Sequence, residues 1–150
     1  MKIHVFATEL WLPRPRETVF DFFADAHNLQ EITPDFLDFK ILTPQLIPMR
    51  AGTLIDYKLR VHGIPLRWRT EISAWEPPQR FVDRQLSGPY RQWIHEHRFV
   101  EQEGGTLCSD EVRYAVWGGD LVNRLFVRRD VGTIFEFRRK KLLEIFGGGK

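Results

Sequence analysis

Trp93, His95, His97 and Phe99 alternate along one stretch of the chain. On a strand, a period of two turns all four to one side and sets the two imidazoles roughly 6.6–6.8 Å apart along it. The flanking aromatic rings mark that side as the inward one, where an imidazole can take or give a proton near neutral pH. Asp83, Asp110 and Tyr114 fall on neighbouring strand segments and are the candidates to orient the rings. Three readings stay open. The histidines are core groups bonded to other side chains or buried water, which is the favoured reading; they are the polar end of an apolar pocket that orients a ligand; or they are general acid/base groups, with His95, His97 and Asp110 as candidate catalytic residues. A His-x-His pair can also begin a metal site. It needs a third and usually a fourth ligand, only Asp83 or Asp110 could help, and no complete set stands out, so neither a metal nor a cofactor is expected.

Other reactive residue types carry less. Cys108 has no adjacent histidine or basic cluster to activate it and reads as a packed, inert thiol. Ser87-Gly88 and Ser109-Asp110 lack the nucleophile-elbow pattern. Gly104-Gly105 and Gly118-Gly119 lack the strand-to-helix context of a nucleotide loop, so both read as turns. Arg138, Arg139, Lys140 and Lys141, with Arg128-Arg129 ten residues earlier, form a basic stretch that reads as the solvated face of a helix. The alternative is a transient dock on anionic lipid.

The elements that position these residues follow from composition and periodicity. A chain of 150 residues buries about 68–70% of its extended surface and supports a core without disulfides or metal. It is 43% apolar and 28% charged, an ordinary globular balance, with an excess of large rings in twelve Phe and five Trp. A net charge of +2 with mixed signs gives no field suited to nucleic acid, so the expected partner is a small, weakly charged molecule. The single cysteine excludes a disulfide framework within the chain and fits a reducing compartment. No apolar run approaches the roughly 20 residues of a membrane span, and Met1 to Leu12 lacks the parts of a signal peptide, so the expected location is cytoplasmic.

Alternation predicts a first strand from Ile3 to Leu12 with both faces largely covered. A helix from about Pro15 to Ala26 follows, with Val19, Phe20, Phe22 and Phe23 on its apolar face, and then a second short helix from Asn28 to Thr33 stopped by Pro34. Strands are predicted at Phe36 to Leu42, at Thr53 to Val61 and, after a His62-Gly63-Ile64-Pro65 turn, from Leu66 through Ala74. The inner face takes Ile55, Tyr57, Leu59, Trp68, Thr70, Ile72 and Ala74. Arg80 to Ser87, Arg91 to Glu101 and Thr106 to Trp117 complete the set. Asp120 then reads as the N-cap of a long helix reaching Phe146, weakened at Gly132 where a bend or a close contact is expected; Gly147 to Lys150 should fray. Leu121, Leu125, Val131, Ile134, Phe135, Leu142, Ile145 and Phe146 supply its apolar side.

This order, one strand, two short helices, six strands and a long helix, resembles the START-like superfamily of polyketide cyclases/dehydrases and birch-pollen-allergen-like proteins. Three stretches carry the likeness: Pro15 to Phe20, Gly88-Pro89-Tyr90 with Trp93, His95, His97 and Phe99, and Gly104-Gly105-Thr106 with Asp110, Val112 and Tyr114. The resemblance covers nearly the whole chain. It implies one α+β helix-grip domain, a seven-stranded curved antiparallel sheet around the C-terminal helix, with a cavity between them for a lipid, polyketide, quinone or other hydrophobic molecule. Tyr57, Trp68, Trp93, Phe99, Tyr114, Ile134 and Phe135 would supply wall, and His95, His97 and Asp110 a polar end. The fold carries binding, transport, cyclisation and co-chaperone roles alike. Binding without catalysis is the leading expectation; a cyclase or dehydratase using His95 or His97, or an interaction protein, is the alternative.

Overall fold

The computed structural model describes residues 1–44 and 47–147. Seven antiparallel strands form one curved sheet in the order β1-β7-β6-β5-β4-β3-β2, and the chain ends in a long helix packed on its inner face. The strands are β1 (His4–Leu12), β2 (Lys40–Ile41), β3 (Leu54–Val61), β4 (Ile64–Glu76), β5 (Arg80–Ser87), β6 (Gln92–Gln102) and β7 (Gly105–Ala115). This is the α+β helix-grip architecture. Among the described residues, no helix is long and apolar enough to cross a membrane.

β1 is an edge strand, and that corrects the expectation of two covered faces. It pairs only with β7, its outward residues face solvent, and Val5 stands 60% exposed. At the other edge, β2 is two residues long, because Asp35–Leu37 forms a tight helical turn where the alternation from Phe36 suggested strand. A very short edge strand leaves little unpaired backbone for another chain to extend.

Helix α1 (Arg16–Ala24) begins after Pro15, whose carbonyl accepts from Val19 N at 3.1 Å. It ends at Asp25, which turns extended and uses its carboxylate to accept from His27 N at 3.0 Å. That bond starts a 3₁₀ turn over Ala26–Gln30, earlier and tighter than the second helix expected at Asn28 to Thr33. Phe20 and Phe23 of α1 pack with Leu12, Phe81, Phe99, Cys108, Leu142 and Phe146 to close one end of the molecule.

Two hairpins are tight. His62 and Gly63 link β3 to β4, and Glu103 and Gly104 link β6 to β7, each with positive φ at both turn residues. This is the turn handedness that matches strand twist. His62 Nε2 also meets Asp130 Oδ2 of the C-terminal helix at 2.9 Å, joining the hairpin tip to that helix.

Strand β4 breaks its own alternation. The pairing passes from Ile72↔Asp83 to Ala74↔Val82, so Ser73 is an extra residue on β4. A bulge of this kind bends the strand and reverses side-chain parity beyond it. Trp75, not Ala74, therefore faces inward, opposite Phe81, with the two ring centroids 5.4 Å apart.

The C-terminal helix runs as α2 (Gly119–Val122), a wide turn over Asn123–Val127, α3 (Arg128–Leu142) and a second wide turn over Leu143–Gly147. Gly118, at φ 93°, makes the turn into it. Asp120 is a first-turn residue paired with Lys2 at 3.1 Å and not the N-cap. The buried stripe is Val131, Phe135, Arg138, Leu142 and Phe146, whereas Leu121, Leu125 and Ile145 are exposed. Gly147 closes the last turn; the rest of the tail expected to fray lies outside the described residues.

A Cβ placed on Gly132 meets no atom within 4 Å, so this glycine serves no close approach to the sheet. Gly132→Ala should raise stability by about 0.5–1 kcal/mol through the backbone freedom it removes. Urea unfolding checks this, and a loss of stability would mean that the helix needs a glycine there.

Candidate functional site

Three adjacent strands and one helix bring five ionisable side chains together. β5 supplies Asp83, β6 supplies His95 and His97, β7 supplies Asp110, and α3 supplies Arg138. In register, Asp83 lies opposite His95 and His97 opposite Asp110, but the short contacts run diagonally. His97 Nε2 meets Asp83 Oδ2 at 2.6 Å, and His95 Nε2 meets Asp110 Oδ1 at 2.8 Å. His97 Nδ1 also lies 3.4 Å from Asp110 Oδ1, on which an Arg138 N–H donates at 3.3 Å.

The rings form a stack. His95 and His97 have centroids 3.6 Å apart, and Phe81 lies on the far face of the pair at 4.0 Å from His97. Alternating residues of one strand have thus tilted toward each other, well inside the spacing of their backbone positions. The Arg138 guanidinium sits over the rings of Phe23 and Phe135 at 5.1 and 5.5 Å.

Burial makes charge balance the controlling condition. Both imidazoles are only 4% exposed. Burial, reinforced by the charge of His97, pulls His95 down to about 4 against its Asp110 hydrogen bond. Burial also opposes charge on His97, but its bonds to Asp110 and Asp83 outweigh this and raise its pKa. Burial would likewise lift both aspartates; for Asp83 the His97 hydrogen bond prevails and lowers it, and for Asp110 the Arg138 charge and both histidines hold it well below the usual range. With His95 neutral and His97 protonated, the states toward which their shifts run, the guanidinium and two carboxylates bring the sum to zero.

Next to this cluster lies a cavity of about 710 Å³ between the sheet and the C-terminal helix. Tyr57, Trp68, Trp93, His95, His97, Ile134 and Phe135 line it, together with Asp83 and Arg138. Phe99 and Tyr114 do not. Phe99 is packed into the end core, and Tyr114 gives its hydroxyl proton to Asn123 Oδ1 at 2.7 Å, so it orients neither histidine. Asp110 stands behind the rings and outside the lining. Trp68 Nε1 and Arg138 Nε are buried without a hydrogen-bond partner among the described residues.

Arg138 corrects the view of a four-residue basic surface. It is 8% exposed and belongs to the buried stripe, four residues before Leu142 and three after Phe135. That helical spacing was its only trace in the sequence, and the neighbouring Arg139, Lys140 and Lys141 masked it. Arg139 donates to the Glu9 carbonyl at 3.0 Å, and Lys141 faces Glu144 at 3.6 Å. Cys108 is buried and its thiol is pushed up to about 12, chiefly by burial. Tyr90, which enters the sequence reading only within the Gly88-Pro89-Tyr90 stretch of the family likeness, belongs to the aromatic wall; its ring lies 4.8 Å from Trp93 and 5.6 Å from Trp68.

A sheet that grips a terminal helix around a polar-ended cavity defines a START-like protein. The sequence profile described as polyketide cyclase/dehydrase and lipid transport matches residues 12–137, and the chain belongs to that family. No curated protein matches the sequence significantly. Among solved structures, similar folds include an aromatase/cyclase from Streptomyces sp. R1128, 13% identical with a TM-score of 0.70 over 99% of each chain. A major latex-like protein of Panax ginseng is 9% identical, with a TM-score of 0.70 over 96% of this chain and 97% of that one. A protein of Chromobacterium violaceum is 14% identical, with a TM-score of 0.75 over 95% and 97%. At these identities the likeness is one of fold.

The histidine pair sets a pH profile for stability. An unfolded histidine takes its proton near 6.5, but folded His95 does so only near 4, so protonation favours the unfolded chain as pH falls between those values. His97, raised in the fold, contributes fully below 6.5 and loses its contribution as pH climbs past its folded value. Stability of EDTA-treated protein should therefore peak near pH 6.5. In urea titrations, His95→Gln should flatten the decline between pH 6.5 and 4; an unaltered slope would remove His95 from the account.

Proposed function

We propose that the protein binds a small, mostly apolar molecule carrying one polar end, held between the sheet and α3. The observation that carries this reading is the cavity itself. Its volume of about 710 Å³ falls within the range of small-molecule sites, and its wall is largely apolar and aromatic, with Asp83, His95, His97 and Arg138 forming one polar patch in it. The rings of Tyr57 and Trp68 stack at 5.8 Å, with Trp93 edge-on to Trp68 at 5.5 Å. The unpartnered Trp68 Nε1 supports a ligand that offers an acceptor there, since a buried donor left unpaired costs about 1–3 kcal/mol. The family's description, which joins cyclase/dehydrase chemistry to lipid transport, points the same way.

A second reading draws on the histidines. Two imidazoles whose proton affinities are shifted in opposite directions, each bonded to a carboxylate and both lining the cavity, are suited to giving and taking protons on a bound carbonyl compound. In this reading the protein is a cyclase or dehydratase, and His95 and His97 act on a polyketide-like substrate.

Titration with the neutral dye Nile red should show saturable binding at one site, with quenching of tryptophan fluorescence. Ile134→Trp, which fills the cavity from the helix side, should weaken the dye at least tenfold while circular dichroism stays unchanged. Dye binding that never saturates, or that ignores the substitution, would overturn the binding reading. Turnover of a poly-β-ketone that persists in the His95→Ala, His97→Ala double variant would dispose of the enzymatic one.

A further inference from the structure

We propose that Asp83, His95 and His97 form a site for a divalent first-row ion such as zinc at the polar end of the cavity. Two imidazole nitrogens and one carboxylate oxygen are a donor set that such ions accept, and three protein ligands with one open position is the form of a reactive site. One donor atom from each of the three residues lies within 4.8 Å of the other two. Asp83 Oδ2 is 2.6 Å from His97 Nε2 and 3.8 Å from His95 Nδ1. Donors around a tetrahedral ion with bonds near 2.0–2.1 Å sit about 3.3–3.4 Å apart. The observed distances bracket that value, so side-chain rotation, without strand movement, closes them on an ion.

The surroundings are what distinguish this cluster from three polar neighbours. Each imidazole turns its other nitrogen to the same atom, Asp110 Oδ1, at 2.8 Å from His95 Nε2 and 3.4 Å from His97 Nδ1. A ligand histidine characteristically gives its remote N–H to a carboxylate, which fixes the tautomer and aims the free lone pair at the metal. Asp110 does this for His95; His97 Nδ1 lies 3.4 Å from the same carboxylate oxygen and 3.3 Å from an Arg138 guanidinium nitrogen, which is itself 3.3 Å from Asp110 Oδ1. The layering is spatial as well. Asp83, His95 and His97 line the cavity and Asp110 does not, so the donors face the open volume while the positioning residue stands behind them. With both imidazoles neutral, a divalent ion, two carboxylates and Arg138 leave one positive charge. The open position therefore suits an anionic oxygen, from hydroxide or from an enolate or carboxylate on a molecule in the cavity.

The inference concerns the ion alone and is tested without any organic ligand. Calorimetric titration of EDTA-treated, dialysed protein with Zn(II) should give one ion per chain. Asp83→Asn and His97→Gln should each weaken binding at least tenfold, and Asp110→Asn about 10–100-fold. Asp110→Asn should also shift the visible absorption of the Co(II) form, which a loss of general stability would not do. Glu144→Gln, at the exposed pair with Lys141, should change nothing. X-ray absorption of the wild-type zinc form should find two imidazoles at the ion, a result that needs no variant to fold. Absence of saturable one-to-one binding, binding indifferent to Asp83 and His97, or fewer than two imidazoles would each overturn the proposal.

Discussion

Two carboxylates sit on the inner face of a sheet with side-chain exposures of only 19% and 13%, and much else in the molecule answers their charge. A buried carboxylate is tolerable when it is paired and hydrogen-bonded, and costly otherwise. Asp83 and Asp110 stand on strands to either side of β6, so a group between them can serve both. β6 supplies two. The rings of His95 and His97 cross the register to reach opposite partners, and this diagonal exchange draws the imidazoles into a stack tighter than strand spacing alone permits. The remaining demand is met from across the molecule by Arg138, which gives α3 a polar tie to the sheet in addition to its apolar packing by Val131, Phe135 and Leu142.

The same arrangement explains why the buried charges gather at one place. Arg138 is the charged member of the helix stripe, and the charged groups buried opposite it are those of the two aspartates and the histidines, with Thr70 a neutral polar group farther along the sheet. Phe23, Phe81 and Phe135 enclose the charges with ring faces, which lowers the local dielectric and strengthens each pairing. The cavity beyond is walled by Tyr57, Trp68, Tyr90 and Trp93, whose rings contact one another in a chain. Burial drives the Tyr57 and Tyr90 hydroxyls upward, so both stay protonated.

Much of this was legible in the residues because strand alternation is a strict code. His95, His97, Asp83 and Asp110 share a face by parity alone, and parity also gave Tyr57 and Trp68. What parity lacks is depth: Phe99 and Tyr114 point inward as the alternation says, yet they lie where the sheet is filled by α1 or by Asn123. A single inserted residue also defeats it. Ser73 reverses the facing of Trp75, and nothing in the local composition announces a bulge. Arg138 was hidden for another reason. Its period matched the buried stripe, but a charged side chain is assigned to solvent until its counter-charge is located, and Asp110 is 28 residues away. The long helix was legible in extent and overstated in its apolar side, since amphipathic spacing says nothing about where a supporting sheet stops.

The His62–Asp130 contact spans the cavity's rim, for His62, Gly63 and Asp130 all contribute to the lining. His62 is 69% exposed, and a solvent-facing pair of this kind contributes about 0–1 kcal/mol. The hairpin tip and the helix are therefore fastened by a clasp that thermal motion undoes readily, whereas at the inner end separating a buried charge from its partner is costly. In the binding reading proposed above, a ligand that passes at this rim would leave the charges within undisturbed.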